Sequence, residues 1–599
     1  MTAMPSTSPT EELGALPNWD LGDLYGGPLS PDLAADLERG RTLAEAFREQ
    51  YETRVAQLSG RDLAAAIAEY ERLQELLGRI GSYAGLLYAG DMSDPEIGKF
   101  YQTIQEQLNT IGTAALFFTL ELNRIADEDL AAKFSAAELG RWRPWLRDVR
   151  AFRPHQLSDE LEKLLHEKYV TGRAAWSRLF DETLAGLRFS IGGQDLTNAE
   201  AFDLLSNRDE AVRREAAGAI TAELEGAVRT FGLIHNTLAK DKEIEDRYRG
   251  YARPISSRNL SNYVEDEVVD ALIGAVKAAY PSLSHRYYRL KAKWLGRARL
   301  NHWDRNAPLP DDDERIIPWS DARRIVLGSY RRFSPRLAEI GERFFTERWI
   351  DAPVRPGKSP GAFAHPTVPS AHPYLLVNYL GRTRDVMTLA HELGHGVHQM
   401  LAGAQGHLQA DAPLTLAETA SVFGEMLTFR SLLAAETDPT RRRIMLARKV
   451  EDMINTAVRQ IAFCEFELRF HDERRRGEVT PEQIGALWLE IQRESLGDAF
   501  IFDAAYAPYW SYVPHFVHAP FYVYAYAFGD CLVNSLYAVY EQASEGFAER
   551  YLAMLSAGGT LRHRELLAPF GLDASDPGFW DRGLGVIRGF IDELEAIDA

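Results

Sequence analysis

From residue 31 to residue 125 apolar side chains recur three and four positions apart, with acidic and basic residues between them. That period predicts amphipathic helices over 31–58, 61–88 and 94–125. Asp94-Pro95-Glu96 reads as a helix start, with proline in the first turn. The same periodicity continues through 136–150, 157–168, 172–187, 208–228 and 230–247, while Gly192-Gly193 marks a turn, read as a small hairpin. A stretch punctuated by glycine, proline and serine covers roughly 249–270, after which helical patterns resume over 268–294, 320–335 and 336–347. Residues 351–383 are rich in proline and glycine and hold the best strand candidate of the chain, Tyr374-Leu375-Leu376-Val377-Asn378-Tyr379. Helix returns over about 383–401 and 415–435, so a mainly α fold is expected. At 599 residues the chain is too long for one core. The expected division is a flexible amino end (1–18), an N-terminal helical lobe (19–200) and a catalytic domain (201–599).

The chemistry is concentrated in the 383–401 helix, which contains His391-Glu392-Leu393-Gly394-His395. Positions i and i+4 share a helix face, so both imidazoles can reach one cation. A catalytic zinc site uses three protein ligands and leaves a place for water. Glu392, about 100° around the helix, is placed to activate that water without ligating. Leu389, Ala390, Leu393, Val397 and Met400 make the helix largely buried, where unpartnered imidazoles would be costly. The position ten after His391 is Leu401, which rules out a third histidine of the metzincin type. Glu418 is chosen as third ligand and Glu425, two turns on, as a supporting or core-edge carboxylate. Thr415-x-x-Glu418 also fits a capping box. His398, on the same face as the motif histidines, fits a supporting role, a ligand or a buried core histidine.

Leu389-Ala390-His391-Glu392-Leu393-Gly394-His395-Gly396-Val397-His398, followed by Ala417-Glu418-Thr419-Ala420-Ser421, resembles the thimet oligopeptidase family of zinc metallopeptidases, and within it the oligoendopeptidase F branch. Further marks are Trp19-Asp20-Leu21-Gly22-Asp23-Leu24-Tyr25, Gly357-Lys358-Ser359-Pro360-Gly361-Ala362-Phe363, Pro514-His515-Phe516 and Pro520-Phe521-Tyr522-Val523-Tyr524. The resemblance implies two helical lobes around a deep substrate channel, with a few short strands near the active site. It implies one zinc ion per chain, a third ligand at Glu418, and a transition-state histidine and tyrosines within 515–524. Independently, Ser511–Gly529 packs His515, His518 and Tyr512, Tyr522, Tyr524 and Tyr526 into one stretch, and such groups can donate to an oxyanion. His515, Tyr522 and Tyr524 are favoured, with His518 and Tyr526 as spares and an aromatic core patch as the plain alternative. The strand near 374–379, or Gly361-Ala362-Phe363, is expected to bind substrate backbone as an added strand.

The expected activity is zinc-dependent endopeptidase action on short oligopeptides. The alternatives are release of short fragments from peptide ends and, in another class, a non-catalytic peptide binder with a structural zinc. An intact Glu392 argues against the last, because a structural site closes its fourth position and needs no base. A net charge of -20 repels phosphate backbones, so no nucleic-acid partner is expected. No apolar run is long enough to cross a membrane, and the amino end lacks a secretion signal. With only Cys464 and Cys531 there is no disulfide framework, which fits a cytoplasmic setting. Oligomeric state is not fixed by any of these features.

Overall fold

The structure, a computed structural model, describes residues 13–169, 171–310 and 316–598. Helix accounts for 73% and strand for 3%, as expected of a mainly α chain with a few short strands. The described residues sort into two compact units: Met1–Arg153 with Glu314–Ala435 and Tyr540–Gly571, and Pro154–Asp313 with Glu436–Val539 and Leu572–Ala599. These units are assembled from separated stretches of chain, whereas the sequence-level segments 19–200 and 201–599 are continuous stretches. Of the expected flexible end, residues 1–12 lie outside the described residues. Further on, the Pro17 carbonyl accepts the Ala352 N–H at 2.9 Å and Leu13 is buried.

Within the first unit, helices Pro31–Tyr51, Gly60–Gly90 and Pro95–Ala115 bury one apolar stripe each around Phe47, Leu63, Ile67, Leu73, Ile111 and Phe118. Asp94 caps the third, accepting the Glu96 N–H at 2.8 Å, with Pro95 in the first turn as expected. A three-stranded sheet places Tyr374–Leu376 in the centre, parallel to Ile350–Asp351 and antiparallel to Phe363–His365. The predicted strand over 374–379 is therefore three residues long in regular pairing, although Val377 and Tyr379 still donate to Asp351 and Ala352 carbonyls.

In the second unit the pair Gly192-Gly193 joins strands Phe189–Ile191 and Gln194–Leu196. Both glycines have positive φ (60° and 77°), the conformation that a two-residue hairpin turn of this hand needs. The two helices expected over 208–228 and 230–247 are one helix of 40 residues, Glu210–Arg249. No proline or cap interrupts it; Asp209 caps its start and Gly250 ends it in the left-handed conformation. The reverse occurs over 268–294, where Pro281 divides the pattern into Asp266–Ala279 and Ser284–Trp294.

Candidate metal and catalytic site

The motif helix, Thr383–Ala402, begins where the Asp385 carboxylate accepts the Leu380 and Arg382 N–H groups, each at 2.9 Å. Val386, Leu389, Ala390, Leu393 and Val397 are almost fully buried, which fixes the helix's rotation and turns His391 and His395 to one side. The following helix, Thr419–Ala435, packs tightly across it. Glycine makes this possible. A Cβ on Gly394 would stand 2.4 Å from the Ala420 carbonyl oxygen and 2.7 Å from Ser421 Cα. Tyr330 pins the pair from the other side: its ring faces Gly424 and its hydroxyl donates to the Ala390 carbonyl at 2.6 Å.

Glu418 does not lie inside a continuous helix over 415–435. It sits at the junction between the short helix Leu414–Ala417 and Thr419–Ala435. The short helix begins after Pro413, so Thr415 lies inside it and Pro413 holds its N-cap position. From this corner Glu418 Oε2 lies 3.3 Å from His391 Nε2 and 3.4 Å from His395 Nε2. Two donors about 2.0–2.1 Å from one ion at a tetrahedral angle stand about 3.3–3.4 Å apart. The donor set therefore fits a tetrahedral cation, and it is the one such group of three His, Cys, Asp or Glu side chains among the described residues. All three are half-buried.

Two of the three converging side chains, His391 and Glu418, have a supporting partner. Glu425 Oε2 lies 3.3 Å from His391 Nδ1, the arrangement that holds a ligating imidazole by its other nitrogen. Ser421 Oγ donates to Glu418 Oε2 at 2.7 Å, a partner the sequence pattern did not single out. Burial would lower the His391 pKa, but the hydrogen bonds its ring donates to the Glu418 and Glu425 carboxylates outweigh it and raise the ring to about 10. Burial likewise works to raise Glu418, yet the two histidines hold its carboxyl well below the usual range. His398 is buried, and its hydrogen bond to the Ala417 backbone steadies the residue preceding Glu418; desolvation nevertheless lowers its pKa to about 4. Glu425→Ala is expected to weaken metal affinity by about 10–100-fold. Competition with a chelator of known affinity measures this.

Glu392 is only 7% exposed, and burial raises its pKa. Its carboxylate accepts a hydrogen bond from the Ala364 backbone N–H, which pulls the other way. The contact follows from the sheet register: Leu375 donates to Trp349, so its partner Ala364 turns its N–H and carbonyl to the free edge. Of the two segments expected to receive substrate backbone, Tyr374–Leu376 is paired on both sides, whereas Gly361-Ala362-Phe363 only leads into the strand Phe363–His365, which lies at an edge of the sheet. Lys358, in the glycine-rich segment before that edge, is fully buried. Its ammonium donates to Asp351 Oδ1 at 2.9 Å and to the Val377 carbonyl at 2.7 Å, tying the edge to the sheet.

The second unit carries the aromatic segment. His515, Tyr522 and Tyr526 cluster, with His515 Nε2 at 3.3 Å from the Tyr526 hydroxyl and the tyrosine rings 5.3 Å apart. Tyr524 is placed elsewhere. It is fully buried and its hydroxyl accepts from Asn262 Nδ2 at 2.8 Å. His518 is exposed and lies 2.7 Å from Asp181 Oδ1; Tyr512 accepts from Arg459.

A sequence profile described as peptidase family M3 matches residues 333–586, spanning both ligand helices and the aromatic segment. A second, described as oligopeptidase F, matches residues 121–189. The chain belongs to peptidase family M3, in its oligopeptidase F branch. This M3 metallopeptidase is 26% identical over 559 residues to oligopeptidase PepF of Bacillus subtilis, covering 89% of this chain and 81% of that one. It is 25% identical over 535 residues to an oligoendopeptidase F homolog of Borreliella burgdorferi, covering 88% and 90%. Its fold is that of a solved chain from Chlamydophila abortus (TM-score 0.87, 22% identity, 99% of each chain). It also matches oligoendopeptidase-F from Enterococcus faecium (TM-score 0.70, 21% identity, 94% and 97%). No helix among the described residues is long and apolar enough to cross a membrane.

Proposed function

We propose that this M3 peptidase is a zinc-dependent endopeptidase acting on short oligopeptides. The observation that carries the reading is the convergence of His391 Nε2, His395 Nε2 and Glu418 Oε2, 3.3 and 3.4 Å apart, beside the buried Glu392. Two imidazoles, neutral once they ligate, and one carboxylate suit zinc, and three ligands leave the open position of a catalytic site. When bound there, zinc supplies Lewis acidity and lowers the pKa of water from 15.7 to about 7.

The remaining work falls to the chain's own groups. Glu392 takes a proton from the attacking water and passes it to the departing amine nitrogen. Its burial favours the protonated form it must reach midway, while the Ala364 N–H keeps the carboxylate available at the start. Glu425 and Ser421 orient His391 and Glu418. Substrate backbone is placed along the edge strand Phe363–His365, where the Ala364 carbonyl, although it accepts Gln399 Nε2 at 3.5 Å, has a second lone pair to offer. Donors to the developing oxyanion are assigned to His515 and Tyr522, with Tyr526 as their neighbour; Tyr524, engaged by Asn262, holds the segment instead.

Cleavage of a length series of peptides blocked at both ends, followed by mass spectrometry with and without chelator, tests the proposal. The expected result is cleavage at internal bonds that chelator abolishes and added zinc restores. Turnover that requires a free end would replace it with the exopeptidase reading, and turnover indifferent to chelator would remove the metal from the account.

A further inference from the structure

The turn that carries Tyr522 is built against local backbone preference. Tyr522 donates its N–H to the Ala519 carbonyl at 3.0 Å, closing a four-residue turn with Pro520 second and Phe521 third. That is the layout of a type II turn, whose third residue needs positive φ and is ordinarily glycine or asparagine. Here it is phenylalanine at φ 60°, completely buried, its ring 4.9 Å from His471. A bulky residue holds such a conformation only where its surroundings dictate it.

Those surroundings centre on Glu467, a residue of helix Gln460–Arg476 that is 1% exposed and has no place in the mechanism above. Its Oε1 accepts the Phe521 N–H at 2.8 Å. Its Oε2 is buried with no partner among the described residues. The side chain borders a cavity of about 10 Å³, the room of one water molecule, lined also by His235, His471, Phe516 and Pro520. On the other flank of the turn Arg258 Nε donates to the Pro520 carbonyl at 3.2 Å, and its guanidinium stands 5.8 Å from the Tyr522 ring. Among the described residues no basic group forms an ion pair with Glu467, and its hydrogen bond goes to the strained backbone.

We infer that Glu467 is a positioning residue: by holding the Phe521 N–H it fixes the left-handed turn that carries Tyr522, and with it the pairing of Tyr522 with His515. The inference rests on the assignment of His515 and Tyr522 as oxyanion donors. Burial raises the carboxyl of Glu467 to about 8, so near neutral pH it is a neutral acid that glutamine can imitate. Glu467→Gln keeps an oxygen for the Phe521 N–H and a donor for the cavity, whereas Glu467→Met keeps the volume and loses both.

The test is steady-state cleavage of a quenched peptide by the zinc-loaded full chain, as a cycle of Glu467→Met, Tyr522→Phe and the double variant. Zinc content and hydrogen exchange over 516–523 are read alongside. The expected result for Glu467→Met is a kcat at least about tenfold lower, with KM and zinc unchanged and exchange at Phe521 accelerated. Glu467→Gln is expected within about twofold of wild type, and Glu467→Met to cost little more once Tyr522 is already phenylalanine. A normal kcat for Glu467→Met beside a slow Tyr522→Phe overturns the inference alone, and so do independent, additive losses. A normal Tyr522→Phe overturns the oxyanion assignment, and the inference with it. Should Glu467→Met not accumulate as folded protein, Arg258→Met releases the other flank of the turn and enters the same cycle with the same outcomes.

Discussion

Replacing Glu392 by glutamine is expected to leave the metal in place and lower kcat by about 10²–10⁴-fold, the usual contribution of a general base. The side chain lies next to His391 in sequence but is not one of the three converging donors. It is 7% exposed and accepts the Ala364 N–H. An amide of the same shape preserves that hydrogen bond and the packing, so stability and metal content are expected to change little. What it loses is the ability to take a proton from water. Steady-state kinetics on variant protein of verified metal content measure the effect. A kcat within about twofold of wild type would mean that another group is the base.

A single methyl group at Gly394 is expected to do comparable damage by a different route. The Cβ of Gly394→Ala would meet the Ala420 carbonyl oxygen at 2.4 Å, the Ala420 carbonyl carbon at 2.8 Å and Ser421 Cα at 2.7 Å. All three are backbone atoms of the neighbouring helix, so no rotamer change relieves the clash and the helix must shift. Glu418 sits at the head of that helix and Ser421 one turn in, so the shift carries the third ligand and its hydrogen-bond donor away from the histidines. Alanine gains about 1 kcal/mol over glycine in helix propensity, but overpacking typically costs about 1–3 kcal/mol, and the backbone contact places this site at the upper end. The expected outcome is lower thermal stability together with metal affinity reduced by about 10–100-fold. Gly396→Ala is a milder control. Its Cβ would face the Phe344 ring at 2.6 Å and Leu375 Cδ2 at 3.3 Å, side-chain atoms that can yield. A Gly394→Ala protein that binds metal as wild type does would show that the close helix contact does not set the ligand geometry.

These two residues also mark where the sequence was legible. His391, Glu392 and His395 could be read because one turn of helix fixes their relation locally, and Glu418 because a second helix follows within a short loop. The supports come from contacts between segments far apart in the chain, which no local period reports: Tyr330 on Ala390 and Ala364 on Glu392. Gly394 and Gly396 carried a faint signal, since two glycines inside a buried helix weaken it unless something must come close. Proline marks the helix start at Asp94-Pro95, whereas Pro281 breaks a stretch whose apolar period continues unaltered on both sides. Near 229 the apolar pattern weakens, but with no stop there the helix runs on from Glu210 to Arg249. In the aromatic stretch, the count of tyrosines was plain from the sequence. Which of them face His515 depends on the turn at Phe521, and a left-handed phenylalanine is not something that composition announces.

The most direct test of the central claim is the metal stoichiometry of the purified chain by elemental analysis, for wild type and for His391→Ala, His395→Ala and Glu418→Ala. The account predicts close to one zinc per wild-type chain, removable by chelator, and its loss in all three variants while they remain helical by circular dichroism. A wild-type chain without stoichiometric metal, or a Glu418→Ala chain that retains it at full affinity, would contradict it.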